Sequence, residues 1–252
     1  MSGYLCSVTT RVRADSLLAE RGLAGSRTAA AETIRAGDVR LGRDGPVLLK
    51  PSQMVPEDAD LLVAEGRRFV SRAGIKLDNA LDELGLDVTG RDCLDVGAST
   101  GGFTDCLLQR GAARVIALDV GHGQLDWNLR QDERVHVLER VNAREIEPGS
   151  LPFAPDLVTV DVSFISIVKL LEPVAVVMAP GADLLAMVKP QFELGRAKVK
   201  GGVVRDPELR REAVSSVSAA AEVAGFELRG SAESGLAGPK GNLETFVWAV
   251  KE

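Results

Sequence analysis

Four residues of this chain could carry proton-transfer chemistry if the fold brings them together: Lys76, Asp161, Lys189 and Glu244. Asp161 closes the apolar run Leu157-Val158-Thr159-Val160, and Lys189 closes Leu184-Leu185-Ala186-Met187-Val188. Such runs read as buried strands, and in an open parallel sheet ligands sit beyond the carboxyl ends of the strands. A lysine there is partly desolvated. Burial disfavours an ammonium, and a second ammonium such as Lys76 disfavours it further, which suits an amine to general-base work. Asp161 can orient that amine, and Glu244 reaches the same rim if the last strand runs opposite to the others. Taken singly, each of the four reads as a structural strand-end ion pair. Taken together, their common placement favours catalysis.

Beside them stands a second candidate constellation, Asp95-Val96-Gly97-Ala98-Ser99-Thr100-Gly101-Gly102-Phe103. It follows the apolar pair Cys93-Leu94 and precedes an apolar-periodic segment, the order of strand, tight turn and helix start. Gly97 permits the turn, Gly101 and Gly102 are expected to let the backbone approach a ligand, and a helix start offers free N–H groups. The next apolar run, Arg114 to Leu118, ends in Asp119, about twenty residues on, where a carboxylate can take ribose hydroxyls. The glycine spacing is not G-x-G-x-x-G, so a plain dinucleotide fingerprint does not fit.

The elements that must position these groups alternate. Strands are expected at about 92–97, 114–119, 135–139, 157–161, 183–189, 226–233 and 244–250, and helices near 73–84, 103–110, 166–178 and 207–224. Alternation of this kind means a mostly parallel sheet covered by helices on both faces. The last two strands leave no room for a crossover helix, so they should pair antiparallel at one edge. Trp127 is expected to cover core.

The chain has 252 residues, of which 45% are hydrophobic and 26% charged, ordinary for a soluble globular protein. Cys6, Cys93 and Cys106 lack metal spacing and form no even framework, so reduced thiols in a cytoplasmic protein are expected, and no metal. No apolar run reaches spanning length, and Arg11 and Arg13 follow too soon for a signal-peptide core, so no membrane association is expected. Net charge is −6, yet residues 1–72 carry 11 Lys and Arg against 9 Asp and Glu. That asymmetry suggests a slightly basic module on an acidic body.

The basic module reads as two short helices, Arg13 to Arg21 and Arg27 to Ala36, then short strands at 38–41, 47–49 and 61–63, with 51–60 as loop and 1–8 frayed. Through Arg13-Ala14-Asp15, Leu18, Ser26-Arg27, Ala30, Ile34, Gly37 and Val39 it resembles the S4-type RNA-binding domain, named after a ribosomal small-subunit protein. The resemblance implies that Arg11, Arg13, Arg27, Arg35 and Arg40 face structured RNA. RNA helices are read mainly through shape and phosphates. The linker arginines Arg67 and Arg72 extend this set, as do Arg196, Lys198 and Lys200 of a basic loop, expected to be flexible, that follows Lys189.

In the acidic body, Lys76, Asp161, Lys189 and Glu244 match, in chain order, the Lys-Asp-Lys-Glu tetrad of FtsJ-like ribose 2′-O-methyltransferases. The flanking strings Ser71-Arg72-Ala73-Gly74-Ile75-Lys76-Leu77, Asp95 to Phe103, Asp161-Val162-Ser163-Phe164-Ile165-Ser166, Lys189-Pro190-Gln191-Phe192-Glu193 and Gly238-Pro239-Lys240-Gly241-Asn242 resemble the TlyA family. With the basic module, the likeness covers nearly the whole chain. It implies an α/β, Rossmann-like class I methyltransferase fold with a seven-stranded, mostly parallel sheet whose last strand is antiparallel. A small N-terminal α+β RNA-binding domain would precede it: 1–64 the S4-type domain, 65–72 a linker, 73–252 the methyltransferase domain. It also implies S-adenosyl-L-methionine as cofactor, along Asp95, Gly97, Ala98, Ser99, Thr100, Gly101, Gly102 and Phe103. Asp119 would hold the ribose and Asn142 the adenine end. The implied substrate is a cytidine 2′-hydroxyl in ribosomal RNA, with Lys189 as base. Competing readings are a non-catalytic RNA- or ribosome-binding factor and a membrane-lytic haemolysin. The first leaves the tetrad without a purpose; the second lacks a spanning segment or a strongly basic amphipathic helix. A pseudouridine synthase can also carry the N-terminal module, but would show a catalytic aspartate motif and no cofactor turn.

Overall fold

In the computed structural model, residues 10–43, 45–63, 68–238 and 240–252 are described; for Ala29, Glu32, Ala36, Arg196 and Lys200 the description stops at the backbone. Arg67 and the segment expected to fray therefore lie outside the described residues. Contacts divide the chain into two units, Met1–Arg68 and Phe69–Glu252.

The smaller unit runs β1 (Arg11–Arg13), α1 (Ala14–Glu20), α2 (Arg27–Ala36), β2 (Val39–Leu41), β3 (Met54–Pro56) and β4 (Leu61–Val63). Ala14, Leu17 and Leu18, spaced to share one helix face, are buried with Ala30, Ile34, Val39, Leu48, Val55 and Leu61. The segment expected to be loop contains β3, which pairs antiparallel with β1, while β2 pairs with β4. Val47 makes a single bridge to Arg40 instead of opening a strand. Three-residue strands carry too little alternation to be told from loop by pattern; their partners decide.

The larger unit continues with α3 (Arg72–Leu84), β5 (Asp92–Val96), α4 (Gly102–Gln109), β6 (Arg114–Asp119), α5 (Trp127–Gln131), β7 (Val135–Glu139) and β8 (Leu157–Val160). It ends with α6 (Val168–Val177), β9 (Asp183–Val188), α7 (Pro190–Glu193), α8 (Pro207–Val223), β10 (Phe226–Glu233) and β11 (Thr245–Lys251). The seven strands lie in the order β10-β11-β9-β8-β5-β6-β7. β5 pairs parallel with both β6 and β8, whereas β11 is antiparallel to both β9 and β10. The reversed strand is thus inserted between β9 and β10, not left at the edge. Strands such as β9, DLLAMV, are buried throughout, as a sheet covered on both faces requires.

Phe69 is buried in the larger unit's core against Gly74, and the Ser71 side chain accepts from Ala73 N as the N-cap of α3. Although the sequence places 65–72 in a linker, residues from Phe69 onward belong structurally to the larger unit, and Arg72 is its first helical residue. Trp127 departs from expectation as well. It opens α5 with 69% exposure because the buried side of that short helix is taken by Leu129.

Candidate active site

The tetrad assembles as two ion pairs on one rim of the sheet. Lys189 follows the last residue of β9 and its ammonium pairs with Asp161, the residue after β8. Lys76, one turn into α3, pairs with Glu244, the residue before β11. Thr245 lies opposite Val188, so antiparallel register sets Glu244 beside Lys189. All four are shielded, with side-chain exposures of 11% for Lys189, 17% for Asp161, 10% for Lys76 and 3% for Glu244.

Ser163 was not singled out from sequence, yet its hydroxyl accepts from Lys189 Nζ at 3.1 Å. Glu193 was not either. Its carboxylate accepts from Ser166 Oγ at 2.6 Å and from Ile167 N at 3.0 Å, tying α7 to the loop after β8. Burial pushes the Glu193 carboxyl above its ordinary range. Between these ties Phe164 adopts φ +67°, is 92% exposed and sets its ring 5.3 Å from Phe192. A left-handed backbone is costly for a bulky residue, and such strain gathers at functional sites. Asp161 Oδ1 lies against Lys189 but off the line of a hydrogen bond. Gln191 Oε1 is a buried acceptor with no hydrogen-bond donor among the described residues, an arrangement that calls for an explanation.

A cavity of about 190 Å³ opens beneath the glycine turn. Its lining includes Ser71, Gly97, Ser99 and Thr100 with the acids Asp95 and Asp161, and no basic residue. The glycines also meet a packing constraint. A Cβ on Gly97, at φ +88°, would stand 2.4 Å from the Asp161 carbonyl. One on Gly102 would meet Ser71 Oγ at 2.1 Å, and one on Gly101 would meet Leu129 at 2.3 Å. Packing against α3 and α5 thus restricts positions 101 and 102 to glycine, and Gly102 also lines the cavity. Phe103 likewise turns into the core, 5.8 Å from Phe246. Ala98 is buried and Ser99 takes φ +49°.

Asp95 has no exposure. Its Oδ2 accepts from Thr104 N at 2.9 Å and Thr104 Oγ1 at 2.7 Å, and Oδ1 from Thr159 Oγ1 at 3.4 Å. Burial pushes its carboxyl up to about 7 against the pull of those bonds, with the Asp161 charge adding to the rise. Asp119 accepts from Ser99 N at 2.8 Å and Gly121 N at 2.6 Å, which fixes a carboxylate at the end of β6. On the neighbouring strand end, Glu139 is held down to about 2 by Arg130, and it also accepts from His122 and Gly123 N. Asn142 is committed locally, accepting from Arg144 N and donating to Glu145. A larger, open depression of about 350 Å³ lies between α8 and β10, and its one ionisable lining residue is Arg229.

The basic loop is more ordered than expected. After α7 it forms short 3-10 turns, and Asn242 clamps it by accepting from Val204 N and donating to the Gly202 carbonyl, both at 2.9 Å. Lys198 pairs with Glu212, and the side chains of Arg196 and Lys200 lie outside the described residues. In the smaller unit, Arg13 and Arg27 both flank the buried Asp15, whose carboxyl Arg13 holds down to about 2. Arg11 donates to the Met54 carbonyl and Arg40 to that of Gly45, while Arg35 is exposed in the last turn of α2.

Residues 69–251 match the FtsJ-like methyltransferase family. The chain belongs to that family. It is 48% identical over 241 residues to the 16S/23S rRNA (cytidine-2′-O)-methyltransferase TlyA of Mycobacterium tuberculosis, covering 94% of this chain and 89% of that one. It is 43% identical to the putative rRNA methyltransferase YqxC of Bacillus subtilis, over 92% of this chain and 83% of that one. Among solved structures, a putative hemolysin from Streptococcus thermophilus superposes with a TM-score of 0.76 at 38% identity, covering 97% of this chain and 90% of that one. This family member thus carries its rim of paired lysines and acids beside the cavity of a methyltransferase sheet. No helix among the described residues is long and apolar enough to cross a membrane.

Proposed function

We propose that the chain transfers a methyl group from S-adenosylmethionine to a ribose 2′-hydroxyl of ribosomal RNA, at a cytidine, with Lys189 as general base. The observation that carries this reading is that Asp161, paired with Lys189, also lines the cavity beneath the glycine turn, whose lining has two acids and no basic residue. That lining offers no cationic group to a phosphate, and Asp95, where ionised, favours a cation. The cofactor supplies a methyl group on a sulfonium, already electrophilic. The glycine turn and Asp119 would hold it, the carboxylate receiving ribose hydroxyls.

Lys189 Nζ, as the neutral amine, takes the proton of the 2′-hydroxyl while that oxygen bonds to the methyl carbon and the carbon–sulfur bond breaks, leaving a neutral thioether. Asp161 and Ser163 fix the amine, and Asp161 favours the ammonium that forms. Lys76 steadies the developing oxyanion and Glu244 holds Lys76. Phe164 offers an aromatic face for the base of the incoming nucleotide, a common way for proteins to hold unstacked nucleotides. The smaller unit reads as an S4-type RNA-binding domain in which Asp15 sets Arg13 and Arg27 side by side for phosphates. Arg11, Arg35, Arg40, Arg72 and Lys198 extend the basic contacts. The cytidine preference rests on the relatives' printed activity, and a ribosomal substrate implies the cytoplasm. Incubation of the protein with labelled S-adenosylmethionine and ribosomal subunits, followed by mapping of the label, tests this. Label on a cytidine ribose supports the reading; label on a base, or none, refutes it.

A further inference from the structure

The acids of the rim have lysine partners: Asp161 has Lys189 and Glu244 has Lys76. Asp95 differs. It is the most buried carboxylate of the cavity, and its partners are a backbone amide and two threonine hydroxyls. Around it, α4 contributes Thr104, β8 contributes Thr159 and Asp161, and α3 brings Ser71 and Ala73 to the same cavity. On β6 its register partner is the apolar Ala117. The charged group nearest by these contacts is therefore Asp161, with Lys189 behind it. Asp119 is engaged with backbone amides at the end of β6.

We propose that Asp95 is a charge-sensing specificity residue: its buried carboxylate makes the cavity prefer the cationic sulfonium cofactor to the neutral thioether that remains after methyl transfer. The proposal rests on the cofactor assignment above. An ionised carboxylate in a water-poor site attracts a cation strongly and a neutral sulfur hardly at all. Reciprocally, a cation in the cavity favours ionisation of Asp95, and the neutral product does not. Because burial holds this carboxyl near 7 in the free protein, the cationic ligand releases a proton on binding at neutral pH. The sign follows: affinity for the cation is full above the titration of Asp95 and declines as pH falls through it. Once the methyl group has left, the carboxylate no longer has a cation to hold, and the spent cofactor is released in exchange for a fresh one.

The test is calorimetric titration of the full chain with S-adenosylmethionine and with S-adenosylhomocysteine at pH 6 and pH 8. If the sulfonium lowers the Asp95 titration by about one unit, the ratio of the two affinities falls about fivefold from pH 8 to pH 6. The amino acid and nucleoside parts are common to both ligands and cancel in the ratio. Asp95→Asn should make the ratio flat and abolish proton release. Its carboxamide can keep the Thr104 bonds through oxygen and donate to Thr159, and thermal unfolding checks that the fold persists. Thr104→Val removes one bond to the charged form and should move the slope to higher pH. His122→Gln should leave the slope in place, since an imidazole is the usual alternative source of pH dependence in this range. A wild-type ratio independent of pH, or a slope that survives in Asp95→Asn, overturns the proposal while leaving the cofactor assignment intact. Failure of both ligands to bind overturns the assignment itself.

Discussion

Replacing Lys76 separates the chemical role of the second ion pair from its structural one. The Lys76 and Glu244 side chains are 10% and 3% exposed, so Lys76→Met strands a buried carboxylate. Breaking a buried pair by removing one partner costs about 3–5 kcal/mol. For a unit of this size each kcal/mol moves Tm by about 2–4 °C, so a fall of roughly 6–20 °C is expected. Removing both charges, as in Lys76→Met with Glu244→Gln, leaves no stranded charge and should restore most of that stability. Activity should not follow. Loss of a positioned cation beside the developing oxyanion should hold methyl transfer down by about 10²-fold or more in both variants. Denaturant or thermal unfolding of the single and double variants, paired with single-turnover methyl transfer to ribosomal subunits, reads both quantities. A double variant that regains stability and wild-type rate together would reduce the pair to scaffolding and refute the role given to Lys76.

Lys189→Ala should depress methyl transfer by about 10²–10⁴-fold while S-adenosylmethionine still binds, the range expected for loss of a general base; a rate near wild type would put the base elsewhere. Gly97→Ala puts a Cβ 2.4 Å from the Asp161 carbonyl at φ +88°. Displacing Asp161 by about 1 Å should cost about 10²-fold in rate, and overpacking about 1–3 kcal/mol in an unfolding titration. In the smaller unit the Asp15 carboxyl is held down to about 2, so its contribution is present above the ordinary carboxylate range and lost as pH falls toward 2. Acid unfolding should therefore begin at higher pH in Asp15→Asn; unchanged acid sensitivity would refute it. Deleting the first 68 residues should spare cofactor affinity, measured by calorimetry, and abolish methylation of ribosomal subunits.

The long elements were legible because their patterns are strong. Strands such as Leu184 to Val188 are unbroken apolar runs, and α3 repeats Leu77, Ala80, Leu81 and Leu84 on one face. Elements of three to five residues, β1, β3 and α5, carry too few residues to show a period, so pairing and caps decide them. The site divides along the same line. Lys76, Asp161, Lys189 and Glu244 could be selected from their types and places at strand and helix ends, because parallel topology sends strand ends to one rim. Sequence paired Asp161 with Lys189 but could not supply which lysine Glu244 meets, since that depends on register and on the insertion of β11 between β9 and β10. Nor could it show that Gly101 and Gly102 are demanded by Leu129 and Ser71, or that Asp95 is sealed from solvent with only neutral donors. Residue type and local order are properties of the chain itself. Burial, the partner across the sheet and the electrostatics that follow exist only once distant segments close on one another.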